Sequence, residues 1–328
     1  MTTQETPDSP ISVRHAGRLL ARYPEAVTFL ILILAFVISA NLSPYFLDLP
    51  YLFDSTSLYM EIGILALAMT LVIITGNIDL SVASGLALVA AIAAILHVNL
   101  GVPMILVIPT ALLTGCLLGL FNGLLVTRLK LPSLTVTLGT LALYRGIAQI
   151  LMGDHSVSGF PSWFLGMDAI TVGGIIPLPL ILFGILAVAV GLLLHKTVFG
   201  RHVFAIGTNE AAARYSGMPV DRVKLTVFIL SGLAMGIGGL LMISRLGVAR
   251  YDFAIGNELA VITAVVLGGV HIFGGRGRII GVVLALFVIG FLREGMGVAD
   301  ISPQSQLVVI GGLLLFSVAL GNWMRKFQ

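Results

Sequence analysis

The sequence predicts an all-α polytopic membrane protein of about ten transmembrane helices. Three observations carry this. Of its 328 residues, 58% are hydrophobic and 10% are charged, where ordinary soluble domains carry roughly 25% charge. Apolar runs of about 20 residues, the length a spanning helix needs, recur along the whole chain. More than half of the 38 glycines fall inside those runs, where small residues let helices approach closely.

The elements follow in order. Residues 1–25 form a polar tail with Arg14, Arg18 and Arg22. The first apolar run is 26–42. Ile38-Ser39-Ala40 loosely resembles a signal-peptidase site, but the run is long for a signal sequence and many spans follow, so it reads as an uncleaved span. The remaining runs are 58–75, 81–98, 103–127, 133–152, 175–194, 225–244, 257–273, 279–297 and 305–322. The fourth exceeds what a bilayer requires and is expected to tilt. Residues 26–322 thus make one membrane domain, with a polar loop at 195–224 and a short tail at 323–328.

Charge sets the orientation. The net charge of +3 and pI near 9.2 do not indicate nucleic acid, because the basic residues cluster at the ends of apolar runs. With the N-terminus in the cytoplasm, the cytoplasmic side receives Arg128 and Lys130, the 195–224 loop, Arg276 and Arg278, and a tail with Arg325 and Lys326. Residues 153–174 and the link near Asp300 fall outside and carry no Lys or Arg. Arg245 and Arg250 violate the rule. A version with eight or nine spans holds if one Gly-rich pair of runs is re-entrant. Cys116 lies within an apolar run, so there is no disulfide framework, and it reads as a small core residue.

Two places resemble broken hydrophobic hairpins: Thr75-Gly-Asn-Ile-Asp-Leu-Ser-Val-Ala-Ser-Gly85 and Leu267-Gly-Gly-Val-His-Ile-Phe-Gly-Gly-Arg-Gly-Arg278. Paired interruptions of this kind point to an internal repeat and a midplane site. In the first, Asp79 is an ionisable group at membrane depth, a functional candidate by default. It also suits the first turn of the third span as a cap, with Ser81 and Ser84 helping. The amide of Asn77 suits a polyol. Thr135, Thr137 and Thr140 flank Gly139 and serve as packing glue or ligand contacts. Arg145 lies deeper in that run and needs a partner, an aqueous cavity or a route to the outer interface. Asn77, Asp79, Ser81, Thr137, Thr140 and Arg145 are the candidate substrate-pathway residues. Gly115, Gly119 and Gly123, and Gly232 and Gly236, repeat at four-residue spacing as close-packing faces. Glu61, Glu258, His271 and Glu294 are lone polar groups near span ends or breaks, with no metal spacing among them. Trp163, Trp323, Tyr45 and Tyr51 read as interface anchors. The outer segment with Phe160, Trp163 and Asp168 is a candidate contact for a delivery protein.

The 195–224 loop carries Lys196, Arg201, Arg214, Arg222 and Lys224 against Glu210 and Asp221. Thr208 or Asn209 caps a helix starting at Glu210, whose charge suits that terminus. Ala211, Ala212 and Ala213 favour helix. Gly217 stops it and Pro219 prevents its continuation. A two-turn helix is unstable alone in water, so it must dock on something. Asn209, Glu210, Ala211, Ala212, Arg214 and Gly217 are the candidate coupling residues.

The segment from Phe199 to Val220, with Gly-Thr-Asn-Glu-Ala-Ala-Ala-Arg-Tyr-Ser-Gly at its centre, resembles the coupling loop of the ribose-type sugar permeases of bacterial ABC importers. Thr75-Gly-Asn-Ile-Asp-Leu-Ser resembles their Gly-Gly-Ile-Asp-Leu-Ser element. Leu131-Pro-Ser-Leu-Thr-Val-Thr-Leu-Gly-Thr-Leu resembles their fifth-span entry. Ala264-Val-Val-Leu-Gly-Gly with Gly274-Gly-Arg-Gly-Arg-Ile-Ile-Gly281 resembles their late Gly-rich element. The matches come in family order, from about residue 44 to 322. Asn77 departs from the family's second Gly, and Ala83 stands where Gly often follows; both bear on the cavity.

The resemblance implies a type II importer-like permease acting as a dimer with a second copy or a paralogue. Two ATP-binding subunits would dock on the coupling helices, and a periplasmic binding protein would deliver the sugar. ATP and Mg would belong to the partner ATPase, with no cofactor in this chain. The chain has no Gly-Lys pair and hence no Walker loop of its own, no His-Glu-x-x-His and no Gly-x-Ser-x-Gly, so it offers no enzyme motif. Expected substrates are a monosaccharide or a sugar-derived signal, with a lean to rhamnose or autoinducer-2 over ribose, other pentoses or hexoses. The alternatives are a branched-chain amino-acid permease, which shares a similar coupling loop, and an ion-coupled secondary carrier, which would need mid-membrane acids.

Overall fold

The computed structural model describes residues 24–42, 44–167 and 170–325. The ten apolar runs each coincide with a helix. In chain order the helices are α1 (Pro24–Leu42), α2 (Leu49–Ser55), α3 (Met60–Ile74), α4 (Val82–Ala94), α5 (Met104–Thr127), α6 (Ser133–Met152), α7 (Ser162–Leu165), α8 (Leu178–Lys196), α9 (Val198–Thr208), α10 (Glu210–Tyr215), α11 (Val220–Leu246), α12 (Asn257–Leu267), α13 (Ile279–Val298) and α14 (Pro303–Arg325). Among the described residues, seven helices are long and apolar enough to cross a membrane, or eight if the bent pair Leu49–Leu58 and Met60–Ile74 counts as one. Two shorter apolar helices, Asn257–Leu267 and Pro303–Ala319, bring the runs to ten. Arg14, Arg18, Arg22, Asp168 and Lys326 lie outside the described residues, as do the side chains of Tyr45, Trp323 and Arg325.

Two expected spans are shorter than their apolar runs. The run 257–273 yields a helix of 11 residues, about 16 Å and half a bilayer, because Gly268, Gly269, Gly274 and Gly275 pull the backbone out of the helix. The run 58–75 yields 15 residues, extended by the preceding Leu49–Leu58 piece at a bend of 57°.

Burial follows the sequence pattern. Every residue of α3 from Met60 to Ile74 is buried, as expected for a helix apolar on all sides. By contrast, α1, α5, α6, α8 and α14 expose Leu and Ile, among them Ile105, Leu113, Ile150, Ile185 and Leu315. The glycine faces pack α5 against α11. A methyl on Gly119 would stand 2.9 Å from the Gly232 nitrogen, and one on Gly115 2.9 Å from the Gly236 nitrogen. The two backbones therefore touch.

At 27 residues, α11 is about 40 Å long. That exceeds the roughly 30 Å hydrocarbon core, so one end projects from it. The α9–α10 segment and the first turn of α11 lie at one end of the bundle, the end of the candidate coupling residues. At the opposite end lie two short antiparallel ribbons, β1 (Val157–Ser158) with β4 (Val248–Ala249) and β2 (Thr171–Val172) with β3 (Ile176–Pro177).

The two arginines that break the charge rule are neutralised where they stand. Arg245 Nε donates to Glu61 (2.9 Å), both largely buried, and Arg250 pairs with Asp252 through two bonds. Glu294 accepts from the part-buried Tyr51 hydroxyl (3.3 Å).

Candidate functional site

The coupling segment contains two helices, not one. Thr197 starts α9 by accepting from the Gly200 N–H (3.2 Å), and Gly200, Val203 and Ile206 bury one of its faces. Asn209, not Thr208, caps α10: its Oδ1 accepts from the Ala212 N–H at 2.9 Å. Gly217 ends the segment at φ +77°, a left-handed conformation that suits glycine.

The charged side chains of α10 pair with α11 while staying nearly half exposed. Glu210 bridges Arg214 (3.2 Å) and Lys224 (2.6 Å), and Arg214 also reaches Asp221 (2.7 Å). Burial pushes the Glu210 carboxyl up, but its bonds to Lys224 and Arg214 outweigh this and hold it below the usual carboxylate range. Ala213 is buried, while Ala211, Ala212 and Tyr215 face water, Tyr215 at 93% exposure. Ala211, Ala212 and Tyr215 thus give α10 a small apolar exposed patch with one aromatic ring, beside the ion-paired Glu210 and Arg214.

The first break, residues 75–81, is held by side chains of α5, α6 and α11. Ile78 accepts from Thr137 Oγ1 (3.1 Å) through its carbonyl, and its N–H donates to Ser133 Oγ (3.2 Å), which ties the break to the start of α6. Asp79 is fully buried. It accepts from the Ser81 N–H (3.1 Å), from Ser81 Oγ (2.6 Å) and from Ser231 Oγ on α11 (2.8 Å). Asn122 of α5 donates to Ser81 Oγ (2.8 Å), and the Tyr144 hydroxyl lies 3.3 Å from the Asn122 carbonyl oxygen. Asp79 therefore both orders the turn entering α4 and anchors it to α11. Ser231 is 11 residues from the start of α11, so the carboxylate lies about 16 Å inside the bundle from the coupling end.

The second break, 268–278, meets the first directly. The Gly275 N–H donates to the Ile74 carbonyl at 2.9 Å. A methyl on Gly274 would stand 2.8 Å from the Gly76 nitrogen. α9 closes the junction from the third side. A methyl on Gly207 would overlap the Ile74 carbonyl oxygen and lie 2.5 Å from the Gly275 nitrogen, and one on Gly275 would lie 2.8 Å from Thr208 Oγ1. The helix leading into α10 and both breaks thus share one backbone junction with no room for a side chain. Beside it opens a groove of ≈ 710 Å³, lined by Asn77, Ser133, Glu210, Arg214, Lys224 and Phe273 among others.

The other pathway candidates have defined partners. Asn77 donates to the Thr75 carbonyl (3.2 Å) and hydroxyl (3.0 Å) and lines the groove. Thr137 and Thr140 are buried, Thr140 donating to the Thr137 carbonyl (3.4 Å). Arg145 stands apart from this cluster. Its guanidinium donates to the carbonyls of Tyr251 and Phe253, tying α6 to the loop that follows β4.

A family model described as branched-chain amino acid transport system / permease component matches residues 51–318. The chain belongs to this permease family. It is 38% identical over 316 residues to the autoinducer 2 import system permease protein LsrD of Enterobacter sp. (strain 638), covering 92% of this chain and 96% of that protein. It is 39% identical over 304 residues to LsrD of Klebsiella pneumoniae, covering 91% of each, and 39% identical over 294 residues to LsrD of Escherichia coli (strain K12), covering 88% of each. No solved structure matches.

Several parts of the permease's junction are not evident in its sequence pattern. Ser231 and Asn122 sit in apolar runs with nothing local to mark them, and Gly207 opens the Gly-Thr-Asn-Glu stretch without a local sign of the contact it makes. Tyr215 was readable as the one large apolar side chain in a polar helix. The α9 helix was readable from the Thr197 cap and the spacing of Gly200, Val203 and Ile206.

Proposed function

We propose that this permease is the membrane subunit of an ATP-driven bacterial importer for autoinducer-2, the sugar-derived signal named in its relatives, and that it lies in the inner membrane with the coupling end in the cytoplasm. The observation that carries the mechanical part is the shared junction of Ile74–Gly76, Gly207–Thr208 and Gly274–Gly275. Separate ATPase subunits grip the apolar patch of α10 at Ala211, Ala212 and Tyr215. Their closure displaces α10, and its ion pairs with α11 keep it from swivelling independently. Through Gly207 the displacement reaches both breaks together, so the pathway beside them changes the side to which it is open. A second permease, as a copy or a paralogue, completes the pathway, and a periplasmic binding protein loads it.

Within this scheme the pathway residues divide by geometry. Asn77 lines the groove, its amide nitrogen bonded to Thr75. Asp79, Ser81, Thr137 and Thr140 hold the break in shape, and Arg145 holds the 251–253 loop. Both Asp79 oxygens already accept hydrogen bonds from protein donors, which favours an anchoring role over the ion coupling a secondary carrier would need.

The test is reconstitution of the permease with its ATPase, second permease and binding protein, followed by uptake of labelled autoinducer-2, rhamnose, ribose and leucine. Uptake of autoinducer-2 that stops without ATP is expected. ATP-independent uptake would exclude the mechanism, and preferential leucine uptake would move the permease to the amino-acid branch. A cysteine at Ala211, in a Cys116→Ser background, should label from the cytoplasmic face only.

A further inference from the structure

A second groove, of ≈ 400 Å³, runs between α8 and α13. Val188 and Gly191 form one wall, Ile280 and Val283 the other, and His195 and Arg278 stand at its rim. Gly191 keeps it open, since nothing lies within 4 Å of where a methyl would stand. Val188 and Ile280 are each more than half exposed, so the trough opens sideways from the bundle. In a multi-pass membrane protein that side meets hydrocarbon.

The rim is basic through Arg278, with the His195 imidazole beside it as a hydrogen-bond donor. His195 and Lys196 end α8 where it passes into α9, and Arg278 immediately precedes α13. The His195 ring is tilted against Phe204 of α9 at 5.9 Å. From His195 back to Val188 is seven residues, about 10 Å, so the trough descends from the rim into the outer part of one leaflet. Arg278 pairs with Glu25 at 3.2 Å while remaining 64% exposed. A guanidinium has five donors, and one acidic partner leaves several for a second acceptor.

An apolar trough beneath a basic rim matches the two ends of one molecule, an acyl chain below an anionic headgroup. We propose that the α8–α13 groove binds an anionic phospholipid, with an acyl chain along Gly191 and Val283 and the headgroup phosphate at Arg278 and His195. Charge argues against the chain's own first residues as the occupant. Positions 1–23 carry Arg14, Arg18, Arg22 and His15 against Glu5 and Asp8, and would bring cations to a basic rim.

The test uses full-length permease with Trp163 and Trp323 changed to Phe and a single reporter, Val188→Trp. It is reconstituted in mixed phosphatidylglycerol–phosphatidylcholine vesicles, with one lipid or the other brominated. Brominated phosphatidylglycerol should quench beyond its share of the bilayer. Arg278→Gln should reduce that preference about fivefold, Arg278→Lys should retain most of it, and Glu25→Gln, which releases the guanidinium, should raise it. As a second measurement, the purified protein without the reporter should retain phosphatidylglycerol, and Gly191→Leu, which fills the trough without altering charge, should lose it. Equal quenching by the two lipids, or a preference untouched by Arg278→Gln, overturns the assignment.

Discussion

Substituting Gly207 by alanine adds one methyl at the point where the coupling segment meets both breaks. That carbon would overlap the Ile74 carbonyl oxygen and sit 2.5 Å from the Gly275 nitrogen. These two atoms are the acceptor and donor of the 2.9 Å hydrogen bond joining the breaks. Ordinary contact for a carbon is about 3.5 Å or more, so α9 must retreat by roughly 2 Å from the Ile74 carbonyl or the bond must open. Overpacking of this kind costs about 1–3 kcal/mol, small beside a typical stability of about 5–15 kcal/mol, so the protein should still fold. The same 1–3 kcal/mol corresponds to roughly 5- to 150-fold in any equilibrium that requires a closed junction. The assay is substrate transported per ATP hydrolysed in proteoliposomes containing the complete importer. Transport should fall within that range while ATP hydrolysis persists, because the ATPase-facing side of α10 is unchanged. Gly184→Ala, where nothing lies within 4 Å of the added carbon, should behave as wild type. A Gly207→Ala protein with the wild-type ratio of transport to hydrolysis would refute a rigid transmission through this junction.

Other outcomes follow from the same geometry. Tyr215→Ala removes a ring that is 93% exposed, so thermal stability should stay within about 0.5 kcal/mol while affinity for the ATPase subunit falls; co-purification at graded detergent and salt measures both. Asp79→Ala strips the acceptor from Ser81 and Ser231 and should destabilise by about 1–3 kcal/mol for each buried donor left without a partner, read as a lower unfolding temperature, with Asp79→Asn milder because it keeps one acceptor oxygen. The Glu210 carboxyl is held below its ordinary value, so its contribution is fully present above its unfolded pKa, about 4.3, and is lost as pH falls through the lower folded value. Docking of the ATPase should therefore be flat from pH 8 to 5 and weaken only in stronger acid, and Glu210→Gln should show the weakened state at pH 7. A methyl-for-hydrogen change at Gly119 must separate α5 from α11, so Gly119→Ala should lower the unfolding temperature, whereas Gly139→Ala, facing open space, should not.

Much of this permease is legible in its residues one segment at a time. Run length and polarity give the spans, because a bilayer imposes one length on every crossing. The Asn209 cap, the alanines and Gly217 give α10 within a residue, because capping is a contact between neighbours in sequence. The four-residue glycine spacing gives the α5–α11 contact face, because it is one stripe of a helix. Those signals are local, and local chemistry suffices to read them.

Tertiary structure decided what those parts do together. The sequence offers Asp79 as a lone acid at membrane depth; only the approach of Ser231 from α11 shows that its second oxygen is occupied. It offers Arg145 as a charge in need of a partner; only the folded loop supplies the Tyr251 and Phe253 carbonyls. It offers two Gly-rich breaks as a possible pair, but that they touch, and that Gly207 of α9 lies against both, depends on backbone atoms far apart along the chain. A glycine looks the same in sequence whether open space lies beside it, as at Gly184, or another main chain, as at Gly207, because the absence of a side chain carries no information about what fills its place.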